Sequence, residues 1–82
     1  MNDYKIWIAR DQNETDEDGN IIKPGKLHAF YDTPELSVDF DSSIFKWTCA
    51  RKMFEIPSFM YPNVKEMECV VYESYKEYKS LS

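Results

Sequence analysis

YKIWIAR-DQNETDEDGNIIKPG-KLHAFYD, residues 4–32, is the stretch that decides how this chain reads. Its first seven residues alternate Tyr4, Ile6 and Ile8 with Lys5, Trp7 and Ala9, and their β-branched and aromatic content favours a strand. The last six place Leu27, Ala29 and Tyr31 opposite His28 and Phe30, a second strand entered through the turn signal Pro24-Gly25. Between them lies a 15-residue polar insert, 11–25, with five acids. The simplest connection makes it a flexible, solvated loop joining two antiparallel strands.

The insert has a second reading as a partial calcium loop. Counting from Glu14, acids fall at positions 1, 3 and 5 (Glu14, Asp16, Asp18), with Gly19 at 6 and Ile21 at 8, but position 12 is Gly25. That loop needs a bidentate glutamate at 12 and a helix on each side. Neither is present in the pattern, so no metal ligand is assigned.

Working outward, 36–41 alternates Leu36, Val38 and Phe40 against polar residues, and 44–49 sets Phe45, Trp47 and Cys49 opposite Lys46 and Thr48. As a helix, 44–54 would lack a clean apolar face because Lys46 and Arg51 fall among the apolar positions, so a strand is favoured. Residues 53–56 continue extended to Pro57, and 58–61 fits one short helical turn closed by Pro62. Residues 64–72 alternate as a last strand, and Tyr75, Tyr78 and Leu81 recur as in a short terminal helix. The expected fold is a single domain over residues 1–82: α+β or mainly β, one antiparallel sheet of about five strands with one or two helical turns.

Composition limits the function classes. Fifteen acids against ten bases leave a net charge of −5, and only Arg51-Lys52 are adjacent cations, which disfavours direct binding of nucleic acid. No apolar run approaches the ~20 residues that span a bilayer, and residues 1–10 lack the pattern of a signal peptide, so a cytoplasmic location is expected. Cys49 and Cys69, without a Cys-x-x-Cys pair, fit reduced thiols of that compartment. A zinc site from the two cysteines and His28 would lack a fourth ligand. No cofactor is implied.

Catalytic chemistry finds little material. His28 is the only histidine, with no nucleophile placed beside it by spacing, and Arg10-Asp11, Glu66 and Glu68 read as surface charges. The expectation is that the chain is not an enzyme. Its thirteen aromatics, Trp7 and Trp47 among them, exceed what a small two-layer core encloses, so some should stand at the surface as contact residues. Phe59, Met60 and Tyr61, between two prolines, are the leading exposed candidates.

Ile8-Ala9-Arg10-Asp11, then Asp18-Gly19, Leu27, Phe30, Pro34 and Trp47, and finally Ile56-Pro57 through Tyr61-Pro62-x-Val64, form a pattern spread over most of the chain. It resembles a group of small phage and prophage proteins that share an Ile-Ala-Arg-Asp strand, an Asp-Gly turn, a Leu-x-x-Phe strand, a tryptophan and a late Pro-x-x-x-aromatic-Pro segment. This chain departs from the pattern by stretching the Asp-Gly turn into the acidic insert. The resemblance implies a viral or mobile-element origin and action in a bacterial cytoplasm, and carries no activity with it.

Two functions follow from these readings. The first is a protein-binding module, a phage-encoded inhibitor of a host defence protein or host enzyme that acts by steric occlusion. Trp7, Phe59 and Tyr61 would make contact, and Asp16, Glu17 and Asp18 would steer it toward a basic partner surface. The second is a sponge for a signalling nucleotide at an oligomer interface, with Arg10, Arg51 and Lys52 on phosphate. Self-association into a homodimer is compatible with either.

Overall fold

The computed structural model describes residues 5–73. The expected strand Tyr4 and the proposed terminal helix with Tyr75, Tyr78 and Leu81 lie outside them. Eight strands follow in order: β1 (Lys5–Arg10), β2 (Glu14–Thr15), β3 (Ile21–Lys23), β4 (Leu27–Phe30), β5 (Glu35–Asp39), β6 (Ile44–Thr48), β7 (Met53–Ile56) and β8 (Cys69–Glu73). The chain is mainly β. Among the described residues there is no helix, and the single five-stranded sheet gives way to a four-stranded antiparallel sheet, β7-β4-β1-β8, with two separate hairpins, β2-β3 and β5-β6.

Pairing in the central sheet fixes which residues share a face. Ile8 lies opposite both Ala29 and Val70, and Ala29 opposite Phe54. Leu27 is flanked by Arg10 and Ile56. Because side chains alternate across a strand, Ile6, Ile8, Ala29, Leu27, Ile56, Val70 and Tyr72 share one face. Val64 seals that face. Ile8, Leu27 and Val64 are fully buried there, with Tyr61 packed against them. Burial of each such side chain contributes about 1.5–3 kcal/mol.

The lid over this face corrects two expectations. The turn at 58–61 is not helical, and Val64 does not begin the last strand. Instead the chain makes three successive four-residue turns, in which Met60 N–H donates to Pro57, Val64 to Tyr61 and Glu68 to Lys65, at 3.0–3.1 Å. Pro57 and Pro62 have no N–H to extend a helix, and Met67 has φ of 60°, which breaks the strand pattern of 64–72. Met67 N–H then donates to the Arg10 carbonyl at 2.9 Å, and this returns the chain to β1.

Residues 11–25 hold β2 and β3 rather than loop alone. Asp16 builds the turn between them: its Oδ1 accepts the N–H groups of Asp18 and Asn20, each at 2.9 Å, and Gly19 takes φ of 86°. In the second hairpin Asp39 does the same work, bonding the Asp41 N–H and the Ser42 hydroxyl and pairing with Lys46 Nζ at 2.8 Å. The molecule is long and thin, 51 × 25 × 15 Å, with a radius of gyration of 14.5 Å. A compact domain of this size would have about 11–12 Å.

These turns carry a pH dependence. The amide of Asn20, with further amides, holds the Asp16 carboxyl below the usual aspartate value of 3.8, and Lys46 does the same for Asp39. A depressed carboxyl contributes stability above its unfolded value and loses it as pH falls through the lower folded value. Amide NMR shifts of Asp18, Asn20 and Asp41 should therefore hold steady at neutral pH and move only below about pH 4. At the alkaline end the Asp39 contact raises the Lys46 pKa above 10.5, so that pair is present below the lysine range and is lost above it.

Candidate functional site

The junction where β1 ends holds the densest polar chemistry in the described residues. Arg10 and Asp11 leave the strand on opposite faces. On the core face the Arg10 guanidinium donates to four main-chain carbonyls: Nε to Val64 at 2.7 Å, Nη2 to Ser58 at 2.9 Å and to Tyr61 at 3.1 Å, and Nη1 to Gly25 at 3.4 Å. One planar fork thus ties the lid to the base of the acidic hairpin.

On the other face Asp11 is 3% exposed. Its Oδ2 pairs with His28 Nε2 at 3.1 Å, and its Oδ1 accepts the Trp47 N–H at 2.9 Å. The indole Nε1 of Trp47 donates to the Arg10 carbonyl at 3.0 Å, and Gln12 exchanges two further bonds with Phe45. Through these contacts the β5-β6 hairpin docks on the end of β1. Reading Arg10-Asp11 as surface charge was therefore wrong. The carboxylate is spent inside, holding a backbone amide and an imidazole.

An acid paired with a histidine is two-thirds of a nucleophilic triad, and Cys69 shares their face, with Ala9 between it and His28. The geometry stops there. His28 is 5% exposed, its Nδ1 has no hydrogen-bond partner, and burial pushes the Cys69 thiol pKa up, opposite to what an attacking thiolate needs. Cys49 and Cys69 are both free. Among the described residues no group of three or more His, Cys, Asp or Glu side chains is arranged to hold a metal ion. Asp16, the central residue of the calcium pattern, has its carboxylate engaged by its own turn.

The contact residues expected from sequence separate into two environments. Trp7 is half-buried beside Phe30 and Val71 on the face opposite the core. Tyr61 turns inward, its ring 5.5 Å from that of Tyr72. Phe59, by contrast, is 76% exposed, and Met60 beside it is also open. Asp16, Glu17 and Asp18 are exposed at the tip of the β2-β3 hairpin, which also presents Ile21 and Ile22. Phe40, at the tip of β5-β6, is 88% exposed and was not singled out by sequence.

Comparison with known proteins returned nothing. No protein-family model, curated protein or solved structure matches the chain. Function rests on the residues alone.

Sequence reasoning missed the Arg10, Asp11, His28 and Trp47 constellation. Strand parity held part of the signal, since pairing Arg10 with Leu27 places Asp11 and His28 on one face. The carbonyls that receive Arg10 come from turns whose path no periodicity encodes. Among the described residues no helix is long and apolar enough to cross a membrane.

Proposed function

We propose that this chain is a non-enzymatic protein-binding module, a phage-encoded inhibitor that occludes a host defence protein or host enzyme in the bacterial cytoplasm. The observation that carries the reading is a division of labour. Arg10, Asp11 and His28, the side chains best suited to chemistry, are consumed by internal contacts, while Phe59, Met60 and Ile22 stand in solvent. Large exposed side chains on a small domain favour contact with another macromolecule.

The contact surface centres on the turn that carries Phe59, which adjoins the base of the acidic hairpin. Arg10 bonds both the Gly25 carbonyl, at the base of the acidic hairpin, and Ser58, which precedes Phe59. Phe59 and Met60 supply apolar contact there, and Asp16, Glu17 and Asp18 steer a basic partner toward it. The nucleotide sponge is the weaker reading, because Arg10 is already engaged by four carbonyls and Arg51 pairs with Asp32 at 3.2 Å.

Parallel captures from bacterial lysate, with the wild-type chain and with Phe59→Asp as bait, test this. Phe59 is 76% exposed, so the variant should keep its circular dichroism. A protein retained by wild type and lost from Phe59→Asp supports the module. Once that partner is purified, Glu17→Gln with Asp18→Asn should slow association about tenfold at low salt and flatten its salt dependence, with Asp16 left to hold the turn. An identical set of captured proteins for both baits would count against it.

A further inference from the structure

Strand β5 leaves one side of the β5-β6 hairpin without a neighbour. Among the described residues it pairs with β6 alone. Glu35–Asp39 runs against Ile44–Thr48 in unbroken register, and Glu35 through Val38 are all exposed. The bonds that β6 makes fix the direction of the backbone groups in β5. Phe45 N–H donates to Gln12 Oε1 and Trp47 N–H to Asp11 Oδ1, each at 2.9 Å, and the Phe45 carbonyl accepts the Gln12 N–H at 3.0 Å. These groups point away from β5. In an antiparallel ladder the residues opposite them point away as well. Leu36 lies opposite Trp47 and Val38 opposite Phe45, so the N–H and C=O groups of Leu36 and Val38 face outward.

The two faces of the hairpin differ in chemistry. Leu36, Val38, Phe45 and Trp47 share one face, and the first three are each about two-fifths exposed. Glu35, Ser37 and Asp39 share the other with Lys46, which Asp39 already holds at 2.8 Å. The strand ELSVD thus has two acids and no base. A sheet edge is commonly guarded by a lysine, a proline or a bulge, and β5 contains none of these.

We propose that β5 takes up an extended segment of another protein as an added antiparallel strand, one whose residues alternate between basic and apolar. Its main chain bonds the outward groups of Leu36 and Val38. Its apolar side chains extend the Leu36, Val38 and Phe45 platform, and its cations meet Glu35 and Asp39. A second copy of the chain is a poor occupant. Two-fold pairing centred on Ser37, the register that uses the whole strand, sets Glu35 against Asp39 twice. Shifted one residue either way, only residues 35–37 or 37–39 of the strand pair with each other. This edge is separate from the Phe59 surface, so either can fail without the other.

Titration of the isotope-labelled full chain with the peptide Lys-Val-Lys-Val-Lys-Val-Lys tests this, beside its isomer Lys-Lys-Val-Val-Val-Lys-Lys. The alternating peptide should bind at least about tenfold tighter and should slow hydrogen exchange at the Leu36 and Val38 amides. Val38→Pro removes an outward N–H and leaves the β6 ladder in place, so it should weaken binding at least about tenfold, with circular dichroism as the check on folding. Glu35→Lys changes an exposed side chain, keeps the fold and should weaken binding about threefold or more at low salt. Phe59→Asp should bind as tightly as wild type. Absence of binding, equal binding of the two isomers, or undiminished binding by Glu35→Lys would overturn the proposal. So would a folded Val38→Pro with wild-type affinity, or amide shifts confined to residues 14–23 of the acidic hairpin.

Discussion

Gly25→Ala is expected to cost about 3 kcal/mol or more and to leave the domain largely unfolded at 37 °C. A Cβ at Gly25 would run into the main-chain carbonyl of Asp11, with Gln12 close behind. Backbone cannot rotate aside as a side chain can. The two segments meet there because Asp11 N–H donates to Lys26 at 2.9 Å, which continues the β1-β4 ladder to the mouth of the acidic hairpin. Separating them would strain that bond and two others, Gly25 N–H to Asn13 Oδ1 at 2.7 Å and Arg10 Nη1 to the Gly25 carbonyl. A domain of this length has a total stability of only about 4–12 kcal/mol, so the loss is a large share of it. Urea denaturation measures it directly, and a midpoint equal to wild type would show that the approach relaxes without cost.

Asp11→Ala is expected to cost about 3–5 kcal/mol, by a different route. It removes a buried carboxylate and leaves the Trp47 N–H and His28 Nε2 without their acceptor. An orphaned polar group in a dry site loses its full hydration and gains nothing in return. The loss should concentrate in the β5-β6 hairpin, because Asp11 and Gln12 are its main anchors on β1. Amide hydrogen exchange should show Phe45 and Trp47 losing protection before the Ile8 and Ala29 amides of the central ladder do. Uniform loss across both would mean that the hairpin is not a separately fastened unit.

Much of the fold was legible in the pattern of side chains. Period-two alternation located β1, β4, β5 and β6, and the extended stretch closed by Pro57 is β7. It failed at 64–72, where alternation is equally regular, because turn bonds and the positive φ of Met67 fold the first half into the lid. It also failed inside 11–25. There a single carboxylate, Asp16, gathers two amides into a turn tight enough to pair Glu14 and Thr15 with Lys23 and Ile21. The exposed Phe59 was readable from its flanking prolines. The burial of Asp11 and His28 was not, because a strand's sequence gives parity but not what covers each face.

The central claim is that Arg10 and Asp11 fasten the molecule, while Phe59 is free of structural duty and available to a partner. One set of urea denaturation curves tests it most directly, with wild type, Arg10→Lys, Asp11→Ala and Phe59→Ala measured side by side. A lysine cannot span four carbonyls, so Arg10→Lys should lose about 2–4 kcal/mol and Asp11→Ala at least as much, with Phe59→Ala within about 0.5 kcal/mol of wild type. Unchanged stability in the first two, with loss of folding in Phe59→Ala, would contradict the account.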